Sequence, residues 1–507
     1  MPIIITRRDM PSLSDIKSLL SVFASVAVIS CTSGIPDAAL QDGSLPLVSP
    51  EYAGTTIPCN IAPLTFTVVD DAEACITRFS STSGSGFRVR GKDVTPKKAQ
   101  WRKLMAESED ADVTVTVYEK KSGKWIGKQP FRISVSSDPI DAYISYRLIE
   151  PTYEISGDMA ICQRRLSDYR EEEIYNNKMD FDGTSRQCIN CHSYQAYGTS
   201  NMQFHVRQRD GGTIIFRDGK AQKVNLKAEG MLSAGVYPSW HPSEPLIAYS
   251  LNSTKQYFFA EGKQAAEVID SFSDVVLYDP DRQAVSIVSN DPDDLESFPY
   301  WAPDGKSLYY CCASTDSVAR VAKTNAISNA YDQVRYNIIK RSFDTAAKTF
   351  GPAETILDAA SEGMSATLPR PSPVEPYLLF TMAPFGNFHI WHKNSDLYLM
   401  DLRTGEYRSL DALNSSDVES YHSWSSNGRW IIFSSRRDDG RYTRFYIAYF
   451  SREGVAHKPF ILPQADPGHD RRLFKSYNIP EFMTEPVPYT PKQILKTVKG
   501  EAVKAHM

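Results

Sequence analysis

Several signatures are missing from this 507-residue sequence. It carries no Gly-rich phosphate loop, no HExxH and no Ser-His-Asp arrangement, so nucleotide and hydrolase chemistry have no support. No block of basic residues exists, and 56 Lys and Arg against 61 Asp and Glu leave a net charge of −5, which argues against nucleic acid as a partner. Long apolar runs are scarce. Beyond Leu19–Ile29 no segment is apolar enough to span a membrane, and that one is itself too short. Cysteine is sparse, at 8 residues. There is no second C-x-x-C to complete a zinc site and no βαβ unit around the one present, as a thioredoxin motif would need.

That single C-x-x-C is followed at once by histidine: Cys188-Ile189-Asn190-Cys191-His192. C-x-x-C-H is the attachment pattern of a c-type haem. Two thiols add across the two porphyrin vinyl groups, two intervening residues supply the reach, and the imidazole follows as proximal iron ligand. The sequence therefore predicts one covalent haem c on Cys188 and Cys191, with His192 on the iron. The sixth ligand decides between electron transfer and catalysis, because a strong second ligand blocks substrate access. His205, the nearest downstream histidine, is the first choice. Met202 is the alternative, with Met159 and Met179 as further sulfur options and an open position as the remaining one.

Haem attachment requires export, and the N-terminus supplies a signal for it. Arg7, Arg8 and Lys17 precede the apolar run, which ends at Val28-Ile29-Ser30-Cys31. These four residues resemble the lipobox of bacterial lipoproteins, which implies cleavage before Cys31 and acylation of its thiol. A polar stretch over 31–50 reads as a tether. The remainder is long enough for about two to four domains. Cys59 and Cys75 fall in one presumed domain and are candidates for a disulfide. Cys162, Cys311 and Cys312 read as buried small hydrophobes.

The C-terminal half repeats. Val236-Tyr237-Pro238-Ser239-Trp240, Ser297-Phe298-Pro299-Tyr300-Trp301, the stretch 366–373 and Ser420-Tyr421-His422-Ser423-Trp424 each run through a polar turn into an alternating apolar strand. Asp304-Gly305 and Asn427-Gly428 read as two-residue hairpin turns with both positions at positive φ. Further strand pairs follow each unit, so four strands recur at intervals of about fifty to seventy residues, the mark of propeller blades.

With Asp304-Gly305-Lys306 and Asp396-Leu397-Tyr398-Leu399-Met400-Asp401, these repeats resemble the TolB-type propeller over roughly 230–470. That resemblance implies a fold and almost nothing about function. Trp240, Trp301 and Trp424 are expected in the core between blades. Residues 51–150 alternate as a small β-sandwich. Residues 151–200 hold one expected helix, 165–178, and then the haem motif, on a short insert rather than in a cytochrome domain.

The expected order is thus signal peptide 1–30, tether 31–50, sandwich 51–150, haem segment 151–200, propeller of five or six blades 201–480, and tail 481–507. Fold class is all-β. As a whole the chain resembles Gram-negative propeller lipoproteins with a single C-x-x-C-H. The expected role is electron transfer at the cell envelope, lipid-anchored, with an unidentified redox partner. Two alternatives stand beside it: a propeller that binds an envelope protein or polymer with structural or sensory haem, and a haem peroxidase or reductase. His389 and His392 flank Trp391 either in an exposed loop or toward a channel, while His241 and His422 are read as turn caps.

Overall fold

The computed structural model describes residues 40–150, 157–259, 266–314 and 329–507. The signal segment and Cys31 lie outside them. Strand accounts for 51% of the chain and helix for 7%, so the fold is nearly all-β. No described helix is long and apolar enough to cross a membrane.

Residues 40–136 form a seven-stranded and a three-stranded sheet, with a helix at Lys98–Ala106 that buries Trp101, Leu104 and Met105. Cys75 is buried there and Cys59 half-buried. Both thiols are free, so the expected bridge does not form. Cys59 instead points at the Ser137 carbonyl, 3.8 Å away.

Six sheets follow, each with four antiparallel strands, to which sheet II adds a fifth, parallel one. Sheet I comprises Tyr143–Ile149, Met159–Arg165 and Glu171–Asn176, completed by Ser476–Met483 from the far end of the chain. Sheet II begins with Gln187–Gln195, sheet III with Gly235–Trp240 and sheet IV with Asp294–Trp301. Sheet V begins with Ser365–Pro371 and sheet VI with Glu419–Trp424. From sheet II onward each of these first strands packs against the next, and that of sheet VI packs against Ser476–Met483. The arrangement is propeller-like.

Residues 165–178 correct the sequence reading. The charged run Glu171–Asn176 is a strand, not a helix, paired through Gln163↔Glu172 and Arg164↔Glu171. Its three glutamates sit exposed on an outer strand while Ile174 and Tyr175 turn inward. The need of Met159–Arg165 for a backbone partner overrides the local helical preference. Nor is 151–200 an insert: its described residues supply strands to sheets I and II. The stretch 481–507 is no loose tail, since it completes sheet I, forms a helix at Pro491–Val498 capped by Thr490, and adds Val503–Lys504 to sheet II.

The tryptophans sit where the repeats place them. Trp240 packs with Ile215 and Val224 of sheet II, Trp301 with Leu246 and Ala248 of sheet III, and Trp424 with Tyr377 and Leu379 of sheet V. The hairpin turns differ in type. Gly305 and Gly428 alone take positive φ, at 69° and 65°, so each turn is a longer one closed by a left-handed glycine.

Trp430 joins the two halves of the molecule. It is fully buried, and its indole donates to the Asp138 carbonyl at 3.2 Å. Trp430→Ala removes that bond and leaves a cavity in the shared core, at an expected cost of about 3–5 kcal/mol, read from the urea midpoint. A loss below about 1 kcal/mol would show that the halves are stable without this contact.

Candidate functional site

One geometric device recurs in all six sheets. Each inner strand breaks register with its neighbour, and a residue in the left-handed region sits at the break: Cys191, Tyr237, Phe298, Leu368, Tyr421 and Ile479, with φ from 43° to 56°. The bulge turns these six side chains inward. All six line one constriction of about 40 Å³ on the axis. Cys191 is therefore the member of this ring contributed by sheet II, and its carbonyl accepts from Gln203 Nε2 at 2.5 Å.

The next position in the repeat is His192, Pro238, Pro299, Pro369, His422 or Pro480. Asn190-Cys191-His192-Ser193-Tyr194 is thus the first copy of the repeat as well as part of the C-x-x-C-H motif. His192 is 2% exposed, and neither ring nitrogen has a well-aligned hydrogen-bond partner. The backbones of Ile479 and Ser145 lie near enough to favour a proton on the ring, but burial dominates, Arg147 adds to it, and the pKa falls to about 3. His192 is neutral.

Beyond the ring lies a cavity of about 470 Å³. Sheet II contributes Asn190, Cys191, His205 and Arg207, and sheet I contributes Arg147 and Asn478. His205 pairs with Asn190 across the sheet, and its Nδ1 meets Thr213 Oγ1 at 3.1 Å, which leaves Nε2 without a protein partner. A fixed far nitrogen and a free near one is how ligating imidazoles are held. Burial, then Arg207, lowers its pKa to about 3. Burial raises the Cys191 thiol, with Arg207 and Arg147 pulling the other way.

Cys188, half-buried, stands one contact from this wall, with the Asn190 amide 3.6 Å from its sulfur. Of the residues of the haem-attachment reading, Cys191 and His205 share the cavity wall, whereas Cys188 packs against the core between sheets I and II. His192 itself faces the constriction rather than the larger cavity. The sulfur candidates do not reach the site: Met202 and Met159 are buried in the core between sheets I and II, and Met179 packs against it.

The remaining histidines are structural. His241 caps a turn by accepting from the Ser243 and Glu244 amides. His422 caps none; its Nε2 meets the Leu379 carbonyl at 3.2 Å. His389 and His392 form no exposed loop. His389 bonds Thr381 at 2.9 Å, and His392 meets Glu267 at 2.9 Å with both nearly solvent-free.

Cys312 also departs from expectation. It is half-buried opposite Glu296, and its thiol donates to Asp294 at 3.5 Å.

No protein-family model matches the chain, nor does any curated protein. Among solved structures, prolyl oligopeptidase B from Galerina marginata aligns with 76% of this chain and 53% of its own, at 9% identity and a TM-score of 0.35. A prolyl endopeptidase aligns over 63% and 42%, at 12% identity and TM-score 0.31. A DUF4784 family protein from Bacteroides caccae aligns over 73% and 96%, at 7% and 0.27. The chain spans about half the length of the oligopeptidases it matches. Likeness of this degree says nothing about activity.

Proposed function

We propose that this protein is a c-type haem carrier of the cell envelope that transfers electrons. Its framework in this reading is a small β-sandwich followed by a six-bladed, TolB-type propeller. One observation carries the proposal: His192, buried and neutral, directly follows a thiol that borders the axial cavity.

Cys188 and Cys191 would hold the group, and His192 would ligate from the constriction side. His205 is the candidate on the cavity side, its ring fixed by Thr213. When bound, the haem supplies a one-electron iron couple. The chain's own residues hold both imidazoles neutral through burial. Acylation of Cys31 would tether the protein to the membrane of a Gram-negative envelope, with a redox protein as partner.

The repeat favours a second reading. Since proline or histidine occupies the His192 position in every sheet, that histidine also has a place in the fold without iron. The protein is then a binding module whose cavity takes a free ligand. Expression with the cytochrome c maturation machinery separates the two. Haem that survives acid extraction in the full-length protein and disappears in Cys188→Ala and Cys191→Ala supports the first. A low-spin spectrum unmoved by carbon monoxide would assign both axial positions to the protein, against a peroxidase or reductase. Protein that matures without covalent haem overturns the proposal.

A further inference from the structure

We infer that the axial cavity is built for a ligand bearing carboxylates, clamped by Arg147 and Arg207. The inference rests on this cavity being the ligand site. It holds whether the carboxylates are the propionates of a tethered haem or belong to a free molecule.

Arg147 enters the cavity from sheet I and Arg207 from sheet II. No Asp or Glu lines the cavity, and among the described residues neither guanidinium pairs with a carboxylate. Two cations in one wall without a counter-ion repel each other and attract an anion. Asp270, outside the lining, accepts from Asn387 at 2.6 Å, and Glu481 stands at the constriction rather than in the larger cavity. Asn190 and Asn478, each 7% exposed, leave an amide oxygen without a partner at the same place, acceptors that an N–H or O–H of the ligand, not its carboxylates, would satisfy. Ser233, Asn252, Thr254 and Gln256 add neutral polar groups to the lining, and an apolar and aromatic part includes Trp391, with the Arg436 guanidinium over its ring at 4.8 Å.

A cavity with an aromatic wall on one part and two forked cations on another selects an amphipathic acid. Arginine suits carboxylates because its planar fork donates two parallel hydrogen bonds.

The test uses full-length protein made without haem maturation and metal-free protoporphyrin IX, compared with its dimethyl ester. The two probes share shape and differ in their two carboxylates. The diacid should bind about 10-fold more tightly or better, and Arg147→Gln or Arg207→Gln should remove most of that preference while Arg→Lys keeps part of it. A second probe, glutarate, is read by slowed alkylation of Cys191. Protection by glutarate that the Gln variants lose, without porphyrin binding, supports the clamp and assigns it to a free acid, so that the haem proposal falls alone. Covalent haem in matured protein, combined with equal binding of diacid and ester, overturns the clamp while the haem proposal stands. No binding by any probe also overturns it.

Discussion

A chain ending at Phe474 yields no folded propeller, only insoluble protein or material without a cooperative transition. Ser476–Met483 contributes the strand that pairs with Tyr143–Ile149, through Ile144↔Phe482 and Leu148↔Tyr477 among others. Tyr477, Phe482 and Met483 are at most 2% exposed, and Tyr477 packs edge-on against Tyr146 at 5.2 Å. The same truncation removes Ile494 and Val498, both fully buried against sheets I and II. Each lost large side chain costs about 2–5 kcal/mol, so five cost about 10–25 kcal/mol, as much as or more than the roughly 5–15 kcal/mol that holds a folded domain together. The backbone of Tyr143–Ile149 also loses its partners along one edge.

Soluble expression and calorimetry of the truncated chain read the result. A monomer melting within a few degrees of the full chain would show that the ring stands open without its last strand. Addition of a peptide covering 475–507 is expected to restore part of the transition, since the missing strand is continuous and its register is set by buried side chains.

That dependence explains why part of the architecture escaped the sequence. Three of the four repeats were legible through Trp240, Trp301 and Trp424, and the copy at 366–373, with neither tryptophan nor turn glycine, through its strand pattern. The copies in sheets I and II carry Phe482 and Tyr194 where tryptophan stands elsewhere, and sheet I is assembled from segments more than three hundred residues apart. No local pattern reports such a closure. The inward ring position takes Cys, Tyr, Phe, Leu, Tyr and Ile, a set with no shared chemistry, because the backbone bulge rather than the side chain defines it.

The candidate site was legible in its residues and not in its setting. Cys188, Cys191, His192 and His205 stood out by motif and order, and the structure brings Cys191 and His205 to one wall. Arg147 and Arg207 carried no signal, since an arginine in a strand looks like any other until its neighbours are known. Met202 was a plausible ligand by proximity in sequence, but strand alternation sends it to the opposite face from His205. The Cys59–Cys75 bridge failed for a similar reason: nearness along the chain does not place two Cβ atoms within reach.

Stability should fall as pH drops from 7 to 3.5, with two opposing sets of buried groups setting the slope. His192, His205 and His422, each held near a pKa of about 3 chiefly by burial, and His389, held well below its usual value by burial, are neutral in the folded protein. The unfolded chain protonates all four below about 6.5, so their contribution is present above that pH and lost as pH falls. By pH 5 the loss is about 2 kcal/mol for each, or about 8 together.

Glu296 and Asp270 act in reverse. Burial raises them to about 7 and about 6, so the folded protein takes up their protons before the unfolded chain does. Lowering the pH from 7 to 5 therefore returns about 4 kcal/mol, which offsets about half of the histidines' loss. Below about pH 4 the unfolded carboxyls are protonated too, and the offset stops growing. The histidines' loss continues at about 1.4 kcal/mol per pH unit each, down to about pH 3 where His192, His205 and His422 themselves titrate. Urea midpoints of the haem-free protein at pH 7, 5, 4 and 3.5 read this curve. His422→Pro, which installs the residue that Pro238, Pro299, Pro369 and Pro480 supply elsewhere, should remove about a quarter of the histidines' share of the acid slope. The same slope in His422→Pro as in the parent protein would show that other groups govern the acid limb.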